Sequence, residues 1–373
     1  MRKRGNLRKI TICIIVLCLL HYSYNAVLGG RLPSAFDHAA GINPNGAQSW
    51  LDLLPNILKG LDLLATDDGD KRGDEQPSDM QLSDTIEVWN GEEALSMKLE
   101  EYIVHVVAAE MPASYAEEAL KAQAVAARTY AVKHMLGEER CKSGHTICTD
   151  HTCCQAYLTT EELRTHWGTA FDKYFNKICA AVNETSGEVI VCDGKLITAV
   201  YHSSSGGRTE NCEAVFAVAL PYLVSVESTG EESSPEFSNE TTYTSSEFVS
   251  KVNEAFPQAN MSTPVGSVDI WDRTESGRVK LVRLGDTVVT GQQMRSAFKL
   301  HSTNFSFEIT KDEVKITCLG YGHGVGMSQC GANAMAKDGA DYLEILTHYY
   351  TGVDITKLDL PSDESYFFSL WRV

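Results

Sequence analysis

The sequence predicts an α+β fold, a single mixed domain, on three observations. Helical and strand-like stretches follow one another without the regular alternation of a doubly wound sheet. Two helical patterns flank a break at Met111-Pro112, where the residue before proline is pushed out of the helical region. Two hairpin patterns, one turning at Asp193-Gly194 and one joining Phe305–Ile309 to Val314–Leu319, point to antiparallel pairing.

Taken in order, the chain opens with Arg2, Lys3, Arg4, Arg8 and Lys9, then an apolar run from Ile10 to Leu20. That run is short of the roughly 20 residues a spanning helix needs. Tyr22, Ala26, Val27 and Leu28 extend it, and no clean small-x-small cleavage site follows. The expectation is an uncleaved signal anchor over residues 1–28, with a cleaved signal peptide as the alternative. Either way the positive end stays inside and the rest of the chain is expected to cross the membrane, placing the folded domain on the extracytoplasmic side. Residues 29–84 read as a linker. Within it, residues 50–64 form a leucine-rich amphipathic stretch broken by Pro55, suited to lipid or a partner, or folded back on the domain. Ala65–Ser83 is acidic and flexible in composition.

The folded domain is expected over 85–373. Tyr102–Ala109 is apolar apart from His105, with Ile103, Val106 and Val107 on a helical face. Ser114 and Glu117 form a capping-box pattern that restarts a helix over Glu117 to about Met135. Ala119, Ala122, Ala124, Ala126, Ala127 and Ala131 let other backbones approach that helix closely. A helix follows around Glu161–Ala181, then strands Glu188–Cys192 and Lys195–Tyr201, then a Ser/Gly-rich loop over His202–Thr209. Glu227–Thr242 reads as acidic loop and Thr244–Phe256 as helix. Trp271–Leu284 alternates like strands around Ser276-Gly277, and Gly291–Phe298 is a short helix. After the Phe305 hairpin comes a glycine loop, Gly320–Gly326, with helices Ser328–Lys337 and Tyr342–Tyr350.

Net charge is −18, and no basic stripe with interleaved aromatics occurs in the body of the chain, so nucleic acid is not expected as a partner. Of the 11 cysteines, Cys141, Cys148, Cys153 and Cys154 crowd together, and Cys179, Cys192, Cys212, Cys318 and Cys330 are scattered like small buried hydrophobes.

Four groups carry candidate chemistry. Glu110 ends an apolar helix beside a break, where burial raises a carboxyl's pKa toward that of a general acid; a solvated helix-end glutamate is the alternative. The loop holding Ser203, Ser205 and Gly206 offers hydroxyls and backbone donors of the kind that bind sugars, with Tyr201 as an aromatic platform. It lacks the G-x-S-x-G of a nucleophile elbow. The Gly320–Gly326 loop is no P-loop, since no Gly-Lys-Ser/Thr follows; its glycines permit close backbone approach, with His323 and Gln329 as candidates to line a site. Cys141, His145, Cys148, His151, Cys153 and Cys154 are dense in soft ligands and favour tetrahedral zinc, a disulfide being the alternative.

The stretch AAEMPASYAEEALKAQAVAARTYA from Ala108 resembles the signature of the stage II sporulation protein D family. Four further stretches match that family in order: ICTDHTCCQAY from Ile147, AVYHSSSGGRTEN from Ala199, GQQMRSAFKLHSTNF from Gly291 and GYGHGVGMSQCGANAMA from Gly320. The resemblance spans about Val88 to Thr356 and implies a peptidoglycan lytic transglycosylase of sporulation and engulfment, whose one catalytic acid, in the AEMP segment, is Glu110. It implies Arg128 in the glycan groove, a structural ion pair being the alternative. It also implies a single N-terminal anchor, membrane-anchored sporulation proteins as partners, and an amidase that first strips stem peptides. The family loop commonly reads CTDSTHCQ, and Cys153 here replaces its histidine. The expected ligand set is therefore Cys148, Cys153 and Cys154 with His145, Cys141 in reserve, around a structural zinc.

Two other functions compete. A zinc-dependent cell-wall amidase or peptidase would use the Cys/His cluster, although HExxH is absent. A non-catalytic module would bind glycan or a partner enzyme through the Ser/Gly loop and residues 50–64.

Overall fold

The computed structural model describes residues 83–358. The expected anchor, and the linker up to residue 82 with its stretch 50–64, lie outside the described residues. Among the described residues no helix is long and apolar enough to cross a membrane.

The domain is α+β, with small sheets of two or three strands and helices packed among them. Helix α1 (Leu99–Glu110) and helix α2 (Glu117–Met135) form its centre. All six alanines named above are fully buried in α2. Their small side chains let α2 pack against α1, the Phe171–Glu184 and Gln329–Lys337 helices and the Glu188–Cys192 strand. A second hydrophobic core, around Phe248, Met294, Phe298 and Phe305, lies under the strands Ser238–Thr244, Phe305–Ile309 and Glu313–Leu319 and the sheet Val268–Thr290.

Several expectations are corrected in detail. The Ser114 capping box does not form. The N-cap of α2 is Ala116, whose N–H is held by Asn333 Oδ1 at 2.9 Å, so a distant side chain supplies the acceptor. The helix expected at Glu161–Ala181 is two, Thr160–Trp167 and Phe171–Glu184, separated at Gly168 with φ +52°. The strand from Lys195 ends at Leu196, and Tyr201-His202 instead pairs in parallel with Met327-Ser328. The end of the acidic loop, from Ser238, belongs to a strand, Ser238–Thr244, beside Glu313–Leu319. A hairpin of Thr85–Trp89 and Ala94–Lys98, not anticipated from the sequence although Ile86 and Val88 alternate with polar neighbours, precedes α1.

The parallel pair at Tyr201 and Met327 draws the serine loop against the glycine loop. Ser204 bridges Tyr321, and Glu210 bridges Val325. Here glycine is required: a Cβ at Gly320 would lie 2.6 Å from the Ser204 carbonyl oxygen, and one at Gly206 would lie 2.7 Å from the Leu319 carbonyl carbon.

Candidate active-site cleft

A cleft of about 870 Å³ opens where α1 ends, lined by Glu110, Tyr130, Gln155, Tyr201, Ser203, Arg295, Tyr321, His323 and Gln329 among others. Its volume lies within the range of small-molecule binding sites. Glu110 is the last residue of α1. Met111 is extended at φ −126° and ends the helix, its N–H returning to the Val107 carbonyl. The apolar residues before it are buried and fix the rotation of α1, so the Glu110 side chain is aimed at the cleft.

Glu110 Oε1 accepts one backbone hydrogen bond, from Ala156 N–H at 2.7 Å. Burial pushes its pKa above the usual glutamate value; the Ala156 N–H, the His151 charge and the Tyr201 hydroxyl oppose that rise without cancelling it. A partly dry carboxyl with so few donors holds its proton to higher pH than a solvated glutamate does. Gln155 supports the arrangement. It is buried, donates to Tyr201 Oη at 2.9 Å, and accepts from Tyr102 Oη at 3.3 Å. Sequence reasoning missed it, though a glutamine directly after two thiols and before an apolar residue is an unusual polar insertion.

Tyr201, Ser203, His323 and Gln329 share the cleft with Glu110. Ser205 and Gly206 do not line it. Ser205 is buried, with its hydroxyl on Glu231 Oε1 at 2.7 Å, and Gly206 is wedged against Leu319 and Gly320. Their contribution is to the loop's position. Arg128 also lies outside the cleft lining and is 0% exposed. Its guanidinium grips Glu100 at 2.8 and 2.6 Å and reaches the Glu188 and Val182 carbonyls. The groove position expected for Arg128 is thus replaced by the structural ion pair, because its side chain points from α2 toward α1 and Glu188.

The anchor of the serine loop was not anticipated. Glu231 sits in a stretch that reads as solvated loop, yet is 1% exposed. It accepts hydrogen bonds from Ser204 Oγ at 2.6 Å, from Ser205 N–H at 2.9 Å, from Ser205 Oγ, and from Ser228 Oγ.

Cys141, Cys148, Cys153 and Cys154 converge, all four sulfurs lying within 4.8 Å of one another, and can hold a metal ion. The expected fourth ligand, His145, stands apart with its ring stacked on Trp89 at 4.2 Å; Cys141 occupies the fourth corner. The described cysteines are free thiols. Cys153 and Cys154 also form part of the cleft wall.

A sequence model of the stage II sporulation protein family, SpoIID, matches residues 88–192, which hold Glu110 and the four thiols. Stage II sporulation protein D of Bacillus subtilis is 37% identical over 265 residues, covering 71% of this chain and 76% of that protein. The same protein of Bacillus amyloliquefaciens gives the same identity and coverage. The chain belongs to the stage II sporulation protein D family. It is also 30% identical to the Bacillus subtilis amidase enhancer over 300 residues, 67% of this chain but 40% of that relative. The family is one of sporulation, and the chain is also related to a protein named an amidase enhancer.

Proposed function

We propose that the protein is a lytic transglycosylase that cleaves peptidoglycan glycan strands, preferably stripped of peptide, during engulfment in sporulation. Glu110 acts as acid and then base. One observation carries this reading: a half-buried carboxyl, Glu110, its pKa raised by burial, faces a cleft of about 870 Å³ from the end of an apolar helix. The protonated Glu110 gives its proton to the glycosidic oxygen as the bond from the muramic acid anomeric carbon breaks. The resulting carboxylate takes the proton of the same sugar's 6-hydroxyl as that oxygen closes on the anomeric carbon. An anhydro ring forms and no water is consumed. Tyr201, Tyr130 and Ser203 supply the aromatic and hydroxyl contacts that suit a neutral sugar face.

Glu236 is the other carboxylate on the cleft, but the groups acting on Glu110 are the Ala156 N–H, His151 and Tyr201. A hydrolase would need that second carboxyl to direct water. Mass spectrometry of products from peptide-free strands, cut by the full chain and by Glu110→Gln, separates the two. Anhydro-muramic ends made only by the parent support the transglycosylase. Reducing ends would move the reaction to hydrolysis, with Glu236 as the water-directing group.

The thiol cluster suits zinc. Cys141 and Cys153 sulfurs are 3.6 Å apart and those of Cys153 and Cys154 are 3.8 Å apart. These lengths are close to the roughly 3.8 Å edges of a tetrahedron with zinc–sulfur bonds of about 2.3 Å. Zinc held there would act as a structural cross-link: four thiolates close the shell and leave no position for a reacting water, which disfavours the zinc amidase or peptidase reading. The signal anchor of residues 1–28, an extracytoplasmic catalytic domain at the membrane, and an amidase acting first remain parts of this proposal, supported by the basic-then-apolar N-terminus and the kinship with an amidase enhancer.

A further inference from the structure

Of the residues lining the cleft, Arg295 alone carries a permanent positive charge. It sits in the last turn of the Gly291–Phe298 helix, half-buried, with Nε donating to the Leu300 carbonyl at 3.2 Å. Among the described residues its terminal nitrogens make no hydrogen bond, and the charged or polarisable groups acting on it are Tyr321 and Cys318, with no carboxylate. That is a costly way to place a guanidinium in a chain with 50 acidic against 32 basic residues, unless a ligand completes it.

A second observation lies beside it. His202 lines the cleft and is buried, and its Nδ1 bonds the Val325 carbonyl at 3.1 Å while Nε2 has no partner. The His323 ring stands 5.6 Å from the His202 ring, and both histidines feel Arg295 and Arg278. Arg278 is buried behind Gly324, with Nη2 on the Ser205 carbonyl at 2.8 Å and with Nε and Nη1 unpartnered. Glu210 and Glu231 act on Arg278, so Arg295 is the guanidinium left for a ligand.

We propose that this end of the cleft is a carboxylate subsite, in which Arg295 binds the free lactyl carboxylate of a peptide-stripped muramic acid and His202 Nε2 accepts a hydrogen bond from a neighbouring sugar hydroxyl. This rests on the reading of the cleft as a glycan site, and deepens it. A stem peptide turns the lactyl carboxylate into a neutral amide and removes the charge that Arg295 recognises. The preference for stripped strands then follows from charge recognition as well as from space.

The test is calorimetric titration of the full chain carrying Glu110→Gln, which leaves a bound sugar uncut. Two ligands are compared: a peptide-free tetrasaccharide of alternating N-acetylglucosamine and N-acetylmuramic acid, and the same tetrasaccharide with its lactyl carboxylates converted to methylamides. The acid is expected to bind about tenfold or more tightly than the amide. That preference is expected to vanish with Arg295→Gln added and to survive in part with Arg295→Lys. The ligand-side comparison needs no change at Arg295, so a folding defect in the variants does not obscure it. Equal affinity for acid and amide overturns the subsite, as does a preference that persists in Arg295→Gln. Binding of neither ligand overturns it together with the glycan-site reading, whereas binding of both without acid preference removes the subsite alone.

Discussion

Glu110 and Glu231 are two carboxyl groups of one domain, and the protein treats them in opposite ways. Glu231 is nearly inaccessible but receives four hydrogen bonds, from three hydroxyls and one backbone N–H. Those donors replace the water it lost. Glu110 is less deeply buried, and one backbone N–H at 2.7 Å is its main compensation. The deeper carboxylate is a fastener that holds the serine loop; the shallower one is the acid of the proposed reaction. On that proposal, a shortage of donors and not depth sets the acid apart.

The comparison can be broken most severely at Glu110 itself. Glu110→Gln keeps the shape and the Ala156 hydrogen bond but removes the transferable proton. Strand cleavage is expected to fall about 10³-fold, with the melting temperature unchanged or raised, since a neutral amide suits a partly dry site. Retained cleavage would remove Glu110 from the mechanism. The reverse pattern is expected of Glu231→Ala. Four donors lose their acceptor inside the core, and the loss should be about 3 kcal/mol or more in denaturant unfolding. Parental stability in that variant would mean that the serine loop is held by its backbone bridges alone.

A third test asks whether the thiol cluster supports one carboxyl and not the other. The Cys153-Cys154 pair runs directly into Gln155 and into Ala156, the one backbone donor to Glu110. Removing metal with a strong chelator is expected to release one zinc per chain, lower the cleavage rate about tenfold, and speed amide exchange over residues 141–156. Exchange over residues 203–231, which Glu231 fastens, should stay as it was. A rate unaffected by complete zinc loss would separate the cluster from the cleft.

What could be read in the sequence was local. The spans of α2 and of the Gly291–Phe298 helix, and the Asp193-Gly194 turn with φ of +50° and +71°, follow from patterns within a few residues. What was missed depends on partners far along the chain. The cap of Ala116 comes from Asn333, and Ser204 finds Glu231. Arg128 finds Glu100 on the neighbouring helix. Within the thiol cluster the ligand types were legible, but the choice of Cys141 over His145 depends on a stacking partner, Trp89, at the end of the strand Thr85–Trp89, far along the chain from the cluster. A polar residue in an acidic stretch gives no local sign of whether it will meet water or a folded loop.

The smallest effect, and the sharpest test of the donor shortage, is the pH dependence of stability. The pKa of Glu110 is raised above its ordinary value of 4.5, chiefly by burial. Between that value and its folded-state value, the folded chain holds a proton that the unfolded chain has released. Stability from this group is therefore fully present below about pH 4.5 and is lost as pH rises through the folded-state pKa, with a slope of at most about 1.4 kcal/mol per pH unit. Glu110→Gln removes that slope. The unfolding free energies of parent and variant should differ by a constant below pH 4.5 and then diverge in favour of the variant as pH rises. The cleavage rate of the parent should fall across the same upper limb, because the protonated form is the acid. Parallel stability curves would show that burial does not raise the Glu110 pKa, and the contrast between the two carboxyls would then have to come from what each one touches.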